Sequence, residues 1–486
     1  MGNQFFHFCA NRKWLLLLGL FALIGGILCI HDGHEWGDDF AMYLSQANAI
    51  LKGNSNQLAE YNTWSMQNSD GTLGPYLYPP GYPLFLTLYL KFLPFNWVGI
   101  KIFQWVFYLL GSIAFYFLIS SFKVKLSKSW ILFVLGIVLV HPKILEFSDR
   151  IMSDLWFLVT VYLFFYFLFT NDFRKSSKLF LIGISLILGS ITRVNGFLLI
   201  GSWWIYILMD QIELKNKIKD FLVSLPFVLF VLYLKKIDSQ YESNHIDLLS
   251  SISTTSIFYN LSLYFKQIGQ YVLWHLGFLP MTGVLFGIIL LFFFGNALKS
   301  MNRLKLFAPI LIWILVNFAL IVIWPIAQGT RYLLPIIPFI IWISVIGFND
   351  WFPNQKWNRL ISLAFISLIA LQAAASIFFY RFVFNTNKVI GTAQTDIYEE
   401  VKLIVPDHEV VAFDKPRWLH LITDKKCVRK QTDSTFFKSN AQFWLITNKN
   451  MYSNRLQKLT DSRLDSIYGN ADFTLYKRND LSSRKK

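Results

Sequence analysis

Trp14-Leu-Leu-Leu-Leu-Gly-Leu-Phe-Ala-Leu-Ile-Gly-Gly-Ile-Leu-Cys-Ile30 leads, a few residues on, into Gly37-Asp38-Asp39-Phe40-Ala41-Met42-Tyr43. The first stretch is long and apolar enough to enter a bilayer, whose hydrocarbon is about 30 Å thick. The second places two adjacent carboxylates where that helix leaves it. Each charge wants bulk water and repels the other, so such a pair points to chemistry or ion binding rather than packing. Arg12-Lys13 precedes the apolar run, and no small-residue cleavage site follows Cys29-Ile30. The reading is a retained signal anchor with a cytoplasmic N-terminus.

The same pattern repeats along the 486 residues, 55% of which are hydrophobic and only 15% charged, where a soluble chain carries about 25% charged residues. The sequence therefore predicts a polytopic α-helical membrane protein with about eleven spans: 14–30, 96–120, 130–141, 152–170, 179–192, 194–209, 221–235, 271–297, 306–326, 332–348 and 361–380. Lys123, Lys125, Lys128, Arg174, Lys175, Lys178, Lys215, Lys217, Lys219, Lys299, Arg303, Lys305, Lys356 and Arg359 all fall in loops that this count puts inside. The first outer loop, 31–95, holds only Lys52 and Lys91. The net charge of +16 thus follows the positive-inside rule and argues against nucleic acid as a partner. The three cysteines, Cys9, Cys29 and Cys427, form neither a disulfide framework nor a zinc spacing.

After Tyr380 the composition turns polar. Residues 1–387, with loop 31–95, read as a transmembrane catalytic domain, and 388–486 as a small extracytoplasmic α/β domain. In the latter, Thr395 to Ile404 has a helical pattern, while Glu409 to Phe413, Leu419 to Ile422 and Phe443 to Thr447 read as short buried strands.

Several polar groups lie on the outer side of this topology. Asp38 or Asp39 is placed to cap a helix from Phe40 to Lys52, whose Ala41, Leu44, Ala47, Asn48 and Leu51 share one face, as in a helix lying along a membrane surface. Tyr43 follows one turn later. Tyr78-Pro79-Pro80-Gly81-Tyr82-Pro83 forces an extended segment and a turn. Asp149 and Asp154 flank the start of an apolar helix, where a buried acid requires a partner or serves as a cap. Arg193 and Arg331 interrupt apolar stretches near the same surface. Each suits bidentate binding of phosphate or carboxylate, or a structural ion pair with an acid of the second outer loop. His31, His34, His141, His245 and His275 read as hydrogen-bonded interfacial fillers, and no P-loop, dinucleotide fingerprint or HExxH occurs.

Taken in order, Asp39, Tyr43, Ala47 and Gly53, then Tyr-Pro-Pro at 78–80, Ser153-Asp154, Thr192-Arg193 and Arg331-Tyr-Leu-Leu-Pro335, the chain resembles the GT-C superfamily of integral-membrane glycosyltransferases. The likeness is to the bacterial branch related to protein O-mannosyltransferases and the lipid A aminoarabinose transferase. Phe40 stands where that family often has Glu. The resemblance covers essentially the whole chain and implies a polyprenyl-phosphate-linked sugar donor, transfer on the periplasmic face of the bacterial inner membrane, and inversion at the anomeric carbon. It implies Asp39 as general base, with Asp38 as an alternative. Asp154, Asp149 and Tyr43 would form an acceptor or metal site, and Arg193, Arg331 and Tyr332 would bind the donor phosphate. A divalent metal is present in some relatives. The acceptor, whether lipid, glycan or protein, is not legible. A transporter or flippase of lipid-linked glycan would need charges spread across the bilayer, and the mid-span regions are nearly free of them. An O-antigen polymerase or ligase leaves Asp38-Asp39 and the C-terminal domain without a role. The sequence thus predicts acids of the first two outer loops sharing an external pocket with two arginines.

Overall fold

Apolar runs of the length seen here satisfy their backbone polar groups internally only as helices, and helices dominate the computed structural model. It describes residues 13–34, 38–71, 73–210, 213–237, 252–274, 280–325, 327, 329–383, 396–430, 432–447, 463–470 and 473–479. Cys9, Arg12, Gly37, His245, His275, Gln328 and the basic tail at 483–486 lie outside the described residues. Two compact units emerge: 1–30 with 99–386, and 31–98 with 387–486. The sequence reading grouped 31–95 with the spans; the contacts gather this loop with the C-terminal residues instead.

The first unit is helical. Among the described residues, Trp97–Ser121, Lys175–Thr192, Met281–Leu298, Met301–Ile323 and Gln355–Val383 are long and apolar enough to cross a membrane. Lys128–Leu139 and Pro142–Ser148 make a sixth if their 41° bend lies within one crossing. The expected count of about eleven is not reached on this measure. Lys13–Cys29, Ser153–Phe169, Val194–Met209 and Ile337–Trp351 are apolar but have 10–17 residues, and at about 1.5 Å per residue even the longest spans roughly 25 Å. The span expected at 271–297 is replaced by Pro280–Leu298, preceded by a separate amphipathic helix, Thr254–Val272, with a Ser253 capping box.

Trp105, Trp130, Trp203, Trp313 and Trp342 are fully buried in this unit. Two of these indoles are satisfied locally, Trp130 Nε1 donating to Asn358 (2.9 Å) and Trp313 Nε1 to the Pro335 carbonyl (3.0 Å). Leu285, Ile288 and Phe292, spaced along one helix face, stay half exposed. Lipid is the solvent that such a face suits.

The second unit carries a five-stranded sheet in the order β2-β1-β3-β5-β4, where β1 is Val410–Ala412, β2 Lys426–Val428, β3 Phe443–Thr447, β4 Leu464–Gly469 and β5 Phe473–Arg478. The β1 pairings to β2 and β3 are parallel, and β5 runs antiparallel to β3 and β4. Leu419 to Ile422, expected as a strand, lies in the helix Pro416–Thr423. A short apolar run is ambiguous by periodicity, and Pro416 at the first helical position favours the helix.

An exposed strand edge is a liability unless covered. Here the helix Ser55–Gln67 covers the β2 edge. Cys427 N donates to Tyr61 Oη (3.1 Å), Ser65 Oγ donates to Cys427 O (2.7 Å), and Arg429 N donates to Ser69 Oγ (2.8 Å). Asp70 N in turn donates to Arg429 O (2.8 Å), and Lys430 pairs with Asp70 (3.0 Å).

His420 stacks on Tyr61 at 3.7 Å. Burial holds its imidazole below the ordinary value of 6.5, with the Lys425 carbonyl opposing the shift. The unfolded chain therefore binds more protons than the folded one between the lowered value and about 6.5. The contribution of His420 to stability is fully present above that window and is lost as pH falls through the folded value. Thermal melts between pH 7 and pH 5 are expected to show this decline, and His420→Phe to flatten it; equal slopes in both proteins would refute the assignment.

Candidate functional site

In the second unit, Asp38 occupies the N-cap position of the helix Asp39–Lys52, yet its side chain makes no capping bond there. The carboxylate instead caps a different helix. Arg417 N donates to Oδ2 (3.0 Å) and Trp418 N to Oδ1 (2.9 Å), the orphan donors at the start of Pro416–Thr423. Burial pushes the Asp38 carboxyl up, and Arg417 and the two amides pull it back.

Asp39 is oriented by Tyr78, whose hydroxyl donates to Oδ1 at 2.5 Å. Burial, with the Asp39 charge second, raises the Tyr78 phenol well above its usual range, so it remains a neutral donor. Gln46 fixes the Tyr78 backbone by a reciprocal pair, Nε2 to Tyr78 O and Tyr78 N to Oε1, both 2.9 Å. This pairing satisfies both backbone polar groups of Tyr78, ahead of two prolines that supply no donor. Tyr43 is buried and packs its ring 4.6 Å from Tyr78 and 4.9 Å from Tyr82.

The face of Asp39–Lys52 expected to lie on a membrane surface is largely internal: Ala41, Leu44 and Ala47 are buried, while Leu51 is 41% exposed. Phe40, at the position where the resembled family often has Glu, packs against His34 (4.0 Å), Trp418 (5.2 Å) and Trp97 (5.9 Å). An aromatic residue suits that apolar nest better than a second carboxylate.

In the helical unit, Asp154 sits in the first turn of Ser153–Phe169, where the helix dipole favours negative charge. Its side chain is 2% exposed and is gripped by both arginines. Arg331 Nε lies 2.9 Å from each carboxylate oxygen, and Arg193 Nη1 donates to Oδ1. Arg193 is aimed by the turn after Lys175–Thr192. There a Cβ on Gly196 would meet Gly189 O at 2.2 Å, so only glycine lets the Val194–Leu198 3₁₀ turn fold back so closely. The Arg193 guanidinium lies 5.6 Å from the Tyr332 ring centroid and 5.8 Å from that of Phe157, distances suited to cation–π attraction. Tyr332 thus supports an arginine. Two guanidinium groups on one carboxylate leave these three side chains with a formal charge of +1.

Asp149 pairs with Lys101 at 2.7 Å, the lysine side chain being wholly buried. The sequence reading passed over Lys101, although a lysine inside the apolar run 96–120 is itself a signal. Glu146 is held by Lys143 (2.8 Å) and Arg150. Asp149 and Asp154, the acids suggested for a metal, thus face cations, a donor set that repels a divalent ion rather than fitting one. Among the described residues no cluster of three or more His, Cys, Asp or Glu could hold a metal. His141 stacks on Tyr271 (3.7 Å) and contacts its carbonyl through Nε2 (2.5 Å), while Nδ1 accepts from Lys143 N (3.1 Å).

No family model matches the sequence, and no curated protein matches it significantly. Solved structures do. ArnT from Cupriavidus metallidurans in the apo state superposes with a TM-score of 0.60 at 13% identity, over 96% of this chain and 98% of that one. The same protein bound to undecaprenyl phosphate gives 0.56 at 13% identity with the same coverage. Arabinofuranosyltransferase AftD from Mycobacteria gives 0.57 at 12% identity, over 96% of this chain and 40% of AftD. At such identities the likeness is one of fold, and the chain carries the fold of these GT-C glycosyltransferases along nearly its whole length.

Proposed function

We propose that the protein is an inverting glycosyltransferase that moves a sugar from a polyprenyl-phosphate donor to an acceptor on the periplasmic face of the bacterial inner membrane. The observation that carries this reading is the fold shared with ArnT, which has been captured with undecaprenyl phosphate, together with charged groups matching the two halves of the reaction. Asp39, held at Oδ1 by Tyr78, is the general base for the acceptor hydroxyl. Arg193 and Arg331, oriented by Asp154, meet the phosphate. A phosphate leaving group gains negative charge as the glycosidic bond breaks, and preformed guanidinium groups stabilise that charge. The base removes a proton from the attacking hydroxyl as its oxygen bonds to the anomeric carbon. The N-terminus is then cytoplasmic and residues 388–486 are extracytoplasmic.

The test is full-length protein in liposomes with a panel of undecaprenyl-phosphate monosaccharides and total membrane lipid extract as acceptor. Release of undecaprenyl phosphate and a mass increment on an acceptor lipid are expected. Arg331→Met is expected to weaken undecaprenyl phosphate binding while Asp39→Asn leaves it intact. Should flipping of the labelled donor occur without any transfer, across lipid, glycan and peptide acceptors, the transporter reading would replace this one.

A further inference from the structure

The side chain of Arg417 reaches out of the helix Pro416–Thr423 toward the Tyr78 segment and is 4% exposed. Its Nη2 donates to the Pro75 carbonyl at 2.5 Å, and its guanidinium carbon lies 6.0 Å from the Tyr78 ring centroid. Nη1 is buried and has no hydrogen-bond partner among the described residues. Gly74 runs beneath both groups at φ +79°, and a Cβ there would lie 3.5 Å from Tyr78 Oη and 3.7 Å from Arg417 Nη1.

Gln46 fixes only the backbone of Tyr78. Its ring is set by Tyr43 on one contact and by Arg417 on another, and the hydroxyl of that ring orients Asp39. We propose that Arg417 is a positioning residue for the Asp39 carboxylate, acting through Tyr78, so that the C-terminal residues help to build the basic centre. This rests on the reading of Asp39 as the base. It differs from the bond to Asp38, which uses the Arg417 and Trp418 backbone amides and survives any side chain at 417 except proline.

The experiment places 3-fluorotyrosine at position 78 of the full-length protein in nanodiscs. In Arg417→Ala the fluorine resonance is expected to move toward that of the free amino acid. Millimolar guanidinium should return it, while Arg417→Lys, which lacks the planar fork, should not. Turnover in the donor-panel assay is expected to fall about tenfold with KM for the donor little changed, and to recover with guanidinium. An unmoved resonance, an unchanged turnover, or a loss that guanidinium leaves unrepaired overturns the proposal. If the wild-type protein transfers no sugar at all, the glycosyltransferase reading falls and takes this inference with it. If it transfers and Arg417→Ala matches it, only the inference falls.

Discussion

Asp39→Asn is expected to lower turnover by about 10²–10⁴-fold, the usual contribution of a positioned general base, with little change in melting temperature. The amide keeps the size of the side chain and can still accept from Tyr78 Oη, now 2.5 Å from Oδ1. Only the proton acceptor is lost. Asp38→Asn has the opposite profile. One amide oxygen cannot replace the two carboxylate oxygens that accept from Arg417 N and Trp418 N, and the negative charge at that helix start disappears. A loss of about 1–2 kcal/mol is expected, with faster proteolysis of the C-terminal residues and partial activity. Turnover assays and melts on the two variants decide between the neighbours. An active Asp39→Asn beside a stable, inactive Asp38→Asn would transfer the basic role to Asp38.

Asp154→Asn should carry the largest stability penalty, about 3–5 kcal/mol, because it leaves two partly buried arginines without their counter-charge. The Arg193→Met/Asp154→Asn double variant is expected to lose less than the sum of its single changes, since the groups share one network. Unfolding in mixed micelles measures both. A penalty below about 1 kcal/mol for Asp154→Asn would mean that the triad is exposed to water and worth little, and that Asp154 does not orient the two arginines.

The fold was legible because lipid imposes a coarse, strong rule: apolar runs must be helices, and charges that interrupt them require partners. Asp154, Arg193 and Arg331 stand out for that reason, and Asp39 as half of a carboxylate pair beside the first apolar run. An ion pair of each arginine with an acid of the second outer loop is open in the sequence as the alternative to phosphate binding, and in the structure both arginines lie on Asp154. Other features could not be read. Asp38 looked like a cap for the helix that follows it, whereas its partners lie 379 and 380 residues away. Arg417 carried no signal beyond its place after Pro416, and Gln46 looked like any polar helical residue. Leu419 to Ile422 went wrong because a few apolar residues fit a strand as well as a helix. The span count is not settled by apolar length alone, because helices such as Ile337–Trp351 are apolar and largely buried yet shorter than the roughly 20 residues a full crossing takes.

The union of 31–98 with 387–486 has a consequence for how the chain is made. Tyr61 and Ser65 wait for Cys427, which follows 366 and 362 residues later. At ~5–20 residues per second this interval is roughly 20–70 s. During that time the early segment has emerged from the ribosome, while the strand it will cover and the helix that Asp38 will cap have yet to be synthesised. Truncated products ending before residue 416 should therefore be degraded from their N-terminal loop, although every residue of that loop is present.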